Sequence, residues 1–134
     1  MTNDEVPKNR SYTYQRLAAV TETIDLLSEI QSWYIDMCND DWEHTYGISI
    51  TNIDSPGWNL VVEVKDTYLH EVPFEAIQIQ RCNEDDWIQC RVEAGEFDGV
   101  GGPGNLSELL SIFLSWAERH RPKAEPSKKR RKLP

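Results

Sequence analysis

The sequence predicts an α+β fold: a four-stranded antiparallel meander sheet covered on one face by an N-terminal and a C-terminal helix. Two observations carry that expectation. Apolar residues recur at steps of three and four near both ends of the chain, and between those stretches the period drops to two. The length supplies the third: 134 residues suffice for one domain and are too few for two of ordinary size.

The elements follow in order. Residues 1–20 read as a polar N-terminal extension, partly disordered, with 11–20 fitting neither period. A single α+β domain is expected over 21–120. Ile24, Leu27, Ile30, Tyr34 and Met37 form the stripe of an amphipathic first helix, started by Thr21 or Thr23 and widened by Trp33. Asn39, Asp40 and Asp41 end it. Tyr46–Ile53 and Trp58–Lys65 then alternate as two strands of a hairpin, joined by Asp54-Ser55-Pro56-Gly57, whose Pro-Gly order suits a type II turn. Phe74–Arg81 and Trp87–Val92 alternate again around the acidic turn Asn83–Asp86. Ser49, Thr51, Asn59, Glu63 and Arg91 fall on the solvent face of this sheet.

Asp98–Gly104 holds four of the seven glycines and reads as a flexible connection. Asn105, with Glu108 three residues on, has the spacing of a capping box. Leu106, Leu109, Leu110, Phe113, Leu114 and Ala117 then complete the stripe of the final helix. Residues 121–134 read as a disordered basic tail.

Charge narrows the function. The chain carries 23 acidic and 14 basic residues, a net of −9, but Arg121–Pro134 holds seven of the basic ones against Glu125 alone. Residues 1–120 therefore stand at −15. Such a body repels phosphate backbones and anionic membranes and attracts basic proteins. Neither a nucleic acid nor a membrane is expected as partner. No secretory signal or membrane span is legible, so the cytoplasm is the expected compartment. Lys128–Lys132 has the form of a nuclear-import or nucleic-acid patch, without a folded nucleic-acid surface behind it.

Three classes of chemistry can be weighed. The glycine-rich loop before the last helix lacks the lysine of a phosphate-binding loop and the GxGxxG spacing. Cys38 with His44 holds the ingredients of a cysteine nucleophile, but Asn39-Asp40-Asp41-Trp42-Glu43 is acidic and raises a thiol pKa, the wrong direction. Cys38, Cys82 and Cys90 read as reduced thiols. Asp40, Glu43 and His44 are the basis of the alternative reading, a metal-dependent or acid–base enzyme. The favoured reading is recognition. Asp40, Asp41, Trp42, Glu43 and His44, with Glu84, Asp85 and Asp86 beside Trp87, have the make-up of a protein-binding surface, where aromatic anchors give affinity and charges give on-rate. No catalytic residues, metal or cofactor are expected.

The runs Trp33-Tyr34, Cys38–Ile48, Asp54–Trp58, Phe97–Gly101 and Leu109–Trp116 together resemble immunity protein family 53 of bacterial polymorphic toxin systems, over about residues 24–118. The family's usual form has a glycine near Asp40, and Asp tolerates the left-handed backbone better than most residues. The resemblance implies a small cytoplasmic antitoxin, made beside a toxin gene, that binds the toxin and blocks it. The residues that touch the toxin are not implied. Charge supplies that expectation: a nuclease must be basic at its active site, and an acidic decoy would be steered there.

Overall fold

The computed structural model describes residues 25–123. Helix α1 (Leu26–Met37) leads through a one-turn helix α2 (Trp42–Thr45) into five strands and a closing helix. The strands are β1 (Ile48–Ile53), β2 (Gly57–Glu63), β3 (Ile77–Gln80), β4 (Trp87–Glu93) and β5 (Glu96–Gly101), followed by α3 (Leu106–Arg119). The fold is α+β, with an antiparallel sheet and a helix at either end. The extension 1–20 and the basic run Lys128–Lys132 lie outside the described residues.

Two features of the predicted sheet are corrected. It has five strands rather than four, and it is not a meander: the order is β1-β2-β5-β4-β3, every pair antiparallel. The extra strand is the segment read as a glycine loop. Phe97, Gly99 and Gly101 pair with Val62, Leu60 and Trp58, so the two glycines occupy inward positions where alternation would normally show an apolar side chain. Gly99 is crowded by Leu109 of α3, and Gly101 by Asn105 and the Trp87 carbonyl. A Cβ on Gly99 would lie 3.1 Å from Leu109 Cδ2 and from Phe97 Cε1.

Insertion of β5 between β2 and β4 forces residues 64–76 to carry the chain to the far edge. This connection is part of the core. Val64 and Leu69 are fully buried, the Thr67 hydroxyl donates to the Val64 carbonyl at 2.7 Å, and the Pro73 carbonyl accepts the Trp116 indole N–H at 2.9 Å. β4 returns into β5 through Ala94 and Gly95, with φ of 54° and 78°. Positive φ at both central residues is the mark of a type I′ hairpin turn.

The β1–β2 hairpin forms as expected, but its turn is not type II. Gly57 does not take positive φ, and the Ser55–Pro56 bond is cis. Gly57 is required by proximity, because a Cβ there would run into the Gly101 carbonyl oxygen.

Helix α3 lies on β2 and β5, and α1 docks on α3 rather than directly on the sheet. Trp33 mediates that docking: its ring meets Phe113 edge-on with centroids 5.0 Å apart, and its indole N–H donates to the Tyr68 hydroxyl at 3.1 Å. Tyr68 in turn donates to the Ala117 carbonyl at 2.9 Å. The α1 stripe is rotated from its expected phase. Leu26, Ile30, Trp33 and Met37 face inward, whereas Leu27 and Ile35 are 62% and 57% exposed. The bulk of Trp33 sets the phase. Phe97, Phe113 and Trp116 complete the core, each fully buried side chain of this kind contributing about 1.5–3 kcal/mol.

Candidate functional site

The expected acidic loop is a tightly hydrogen-bonded structure. The Asn39 side-chain oxygen accepts the amides of Asp41 and Trp42 at 3.0 and 2.9 Å, and the Glu43 carboxylate reaches back to the amides of Asn39 and Asp40 at 2.8 and 2.7 Å. This reciprocal arrangement follows the logic of a capping box, each side chain satisfying amides that the short helix leaves open. Asp40 sits at φ 74°, so the aspartate adopts the left-handed backbone where the resemblance expects a glycine.

Burial pushes the Glu43 carboxyl up. The amides of Glu43 itself, Asn39 and Asp40, with His44 close by, outweigh that effect and hold it below the usual carboxylate range. Asp40, Glu43 and His44 bring one possible ligand atom each within 4.8 Å of one another. Both Glu43 oxygens already accept the amides of Asn39 and Asp40, so the position of that carboxylate is set by the loop itself.

Trp42 is not a surface anchor. It is 1% exposed, packed edge-on against Trp33 and Tyr34, and its indole N–H donates to the Glu63 carbonyl at 3.2 Å. What this loop offers outward is Asp40, Asp41 and His44, all exposed.

The second acidic cluster has a different construction. Arg81 makes a two-pronged contact with Glu108, at 3.1 and 2.7 Å, and a third bond to Asp86 at 2.9 Å. Asn105 stands at the start of α3 but makes no side-chain cap bond to that helix. It is 6% exposed and acts as a node: its oxygen accepts the amides of Gly102 and Trp87, and its nitrogen donates to Asp86 and Glu108. Asn105 first and Arg81 second hold the Asp86 carboxyl below its ordinary range, and Arg81 does most of the same for Glu108. Glu84 and Asp85 remain exposed.

The structure does not bring the two clusters together. The loop at 40–46 lies where β1 begins and β2 ends, since Ile48 pairs with Val62. The turn at 83–86 lies at the opposite end, where β4 begins and β5 finishes, since Ile88 pairs with Gly101. About 17 Å of strand separates them along the strand direction.

Neither Cys38 nor Cys90 is activated. Burial, then Glu108 and Asp98, push the Cys90 thiol up to about 12. Burial and the nearby Glu43 also raise Cys38, against the opposing bond from Tyr34. An acidic surrounding that raises the Cys38 pKa matches the sequence-based expectation, with burial as the larger cause.

Sequence reasoning missed the acidic row on the open face. Register places Glu63, Glu96 and Glu93 directly opposite one another on β2, β5 and β4. Val61, Asp98 and Arg91 form the next row. The signal was present in the alternation of Glu96-Phe97-Asp98, but only the identification of β5 as a strand lines these residues up.

A family model described as immunity protein 53 matches residues 27–118. This span runs from the second residue of α1 to the penultimate residue of α3, taking in the entire sheet. The chain belongs to the immunity protein 53 family. No curated protein and no solved structure matches it. The family span includes both acidic clusters, the Asn105 node and the open face of the sheet. No helix among the described residues is long and apolar enough to cross a membrane.

Proposed function

We propose that this chain is a cytoplasmic antitoxin that neutralises a cognate toxin of a polymorphic toxin system by direct binding, without catalysis. The family match across both long helices and all five strands carries the reading. Charge supports the mode of action: residues 25–123 hold 19 acidic and six basic side chains, so a basic partner is attracted at long range. A nuclease, basic where it holds its substrate, is the favoured partner.

The expected contact residues divide by role in this proposal. Asp40, Asp41, His44, Glu84 and Asp85 are the exposed members that meet the toxin. Trp42, Glu43 and Asp86 hold the two loops in shape, because each is already committed to internal partners.

Co-expression with the product of the adjacent toxin gene tests the reading. Host survival together with a stoichiometric complex that weakens in salt is the expected result. Survival without a complex at either low or high salt would indicate an enzyme that reverses the toxin's damage. Loss of protection would sink the proposal for that pair.

A further inference from the structure

One face of the sheet is packed under α3, and no described element covers the other. That open face is organised in rows by strand register. Glu63, Glu96 and Glu93 form the first row, then Ser49, Val61, Asp98 and Arg91, then Thr51, Asn59, Val100, Gln89 and Gln78. Its centre is half-buried around Val61 and Val100, and its edge is acidic.

The first row is physically unusual. Like charges directly opposite one another on neighbouring strands oppose pairing, and here three glutamates stand in line. Glu93 has Arg91 at 3.3 Å, and Glu63 accepts the Gly47 amide at 2.8 Å. No described cation lies within ion-pair distance of Glu96 or Asp98. Asp98 accepts the Asn59 amide at 2.8 Å, which fixes its carboxylate but does not neutralise it. Glutamine or threonine at these positions would pair across the strands without that repulsion.

We infer that this open face is the docking surface for the toxin, and that it receives a lysine- or arginine-rich surface against the Glu63–Glu96–Glu93 row and Asp98. The inference rests on the antitoxin reading and names the contact within it. A basic partner relieves the in-line repulsion on binding, so charge complementarity is strongest where the isolated fold is least satisfied. The row lies at the same sheet end as Asp40 and Asp41, with Glu63 joined to Gly47 of the intervening segment.

The test measures affinity of the full chain for an inactivated form of the adjacent gene's toxin. One variant carries Glu93→Lys with Glu96→Lys. A control carries Glu29→Lys with Glu75→Lys, two exposed positions away from the open face with the same change in net charge. The expected result is a loss of at least about tenfold for the face variant and less than about threefold for the control, read at a temperature where circular dichroism shows both variants folded. Equal losses in both, or none in the face variant, would overturn the inference. Failure of the parent chain to bind or protect would instead overturn the antitoxin reading on which it rests. Two other occupants are separated in the same series. Amide shifts at Glu63, Glu96 and Asp98 when Lys128–Lys132 are neutralised in the full chain would assign the face to the basic tail. A change of oligomeric state in the face variant would assign it to a second copy. Either result would overturn the toxin as occupant.

Discussion

The Trp42 indole nitrogen donates to the Glu63 carbonyl oxygen at 3.2 Å, while the Glu63 carboxylate accepts the Gly47 amide at 2.8 Å. One residue of β2 thereby holds both the start of α2 and the residue that enters β1. Trp42→Phe loses the bond and part of the buried ring, and should cost about 1–3 kcal/mol. Trp42→Ala should cost about 3–5 kcal/mol. Urea unfolding reads both, and the Phe variant should still protect against the toxin, because the ring is internal.

Tyr68→Phe removes a hydroxyl that accepts from Trp33 and donates to Ala117. The loss leaves a buried indole donor unpaired, and stability should fall by about 1–3 kcal/mol. A Tyr68→Phe variant as stable as the parent would show that water replaces the hydroxyl.

Gly99→Val inserts a branched side chain against Leu109, Phe97 and Cys90. The helix α3 cannot retreat without opening the core, so a loss of about 1–3 kcal/mol is expected from overpacking. Val at Gly104, where a Cβ meets nothing within 4 Å, should be far milder in the same unfolding assay.

Ala94 holds φ 54° in the β4–β5 turn, a conformation an L residue other than Asn or Asp enters at a cost. Ala94→Gly should raise stability by up to about 1 kcal/mol. Asp40→Gly should change it little, since aspartate tolerates its φ of 74° and glycine adds entropy to the unfolded chain. Thermal midpoints of the two variants decide the comparison.

The Arg81–Glu108–Asp86 contact gives a defined pH dependence. Both carboxyls are held below their ordinary values in the folded state. Their contribution is therefore complete above the unfolded carboxylate range, near about 4, and is lost as pH falls through the depressed folded values. The difference in urea midpoint between the parent and Arg81→Met should be constant from pH 7 to 5 and shrink towards pH 3. A difference that persists undiminished at pH 3 would contradict the assignment.

The sequence made some of this legible and hid the rest for physical reasons. The alternation of Trp58, Leu60, Val62 and Val64 disclosed β2 because every inward position carries an apolar side chain. Strand β5 escaped because Gly99 and Gly101 are inward yet have no side chain to mark the period. At Gly99 the missing bulk is supplied by Leu109 from another element. The phase of α1 was ambiguous because Leu26 and Leu27 are adjacent and both apolar, and only the contact of Trp33 with Phe113 decides between them. At the site, composition identified the acidic loop but not the commitments of its members. Glu43 and Asp86 look like free charges in the sequence and are internal struts in the fold.

Strand β5 is both the penultimate described element and the centre of the sheet. During synthesis the two outer hairpins exist before the strand that joins them, each presenting an unpaired inner edge. A nascent chain that has not reached Gly101 thus holds two separate pieces, with Glu63 and Glu93 unaligned and the inner face uncovered. The acidic row comes into being only when its middle member, Glu96, takes its place between β2 and β4.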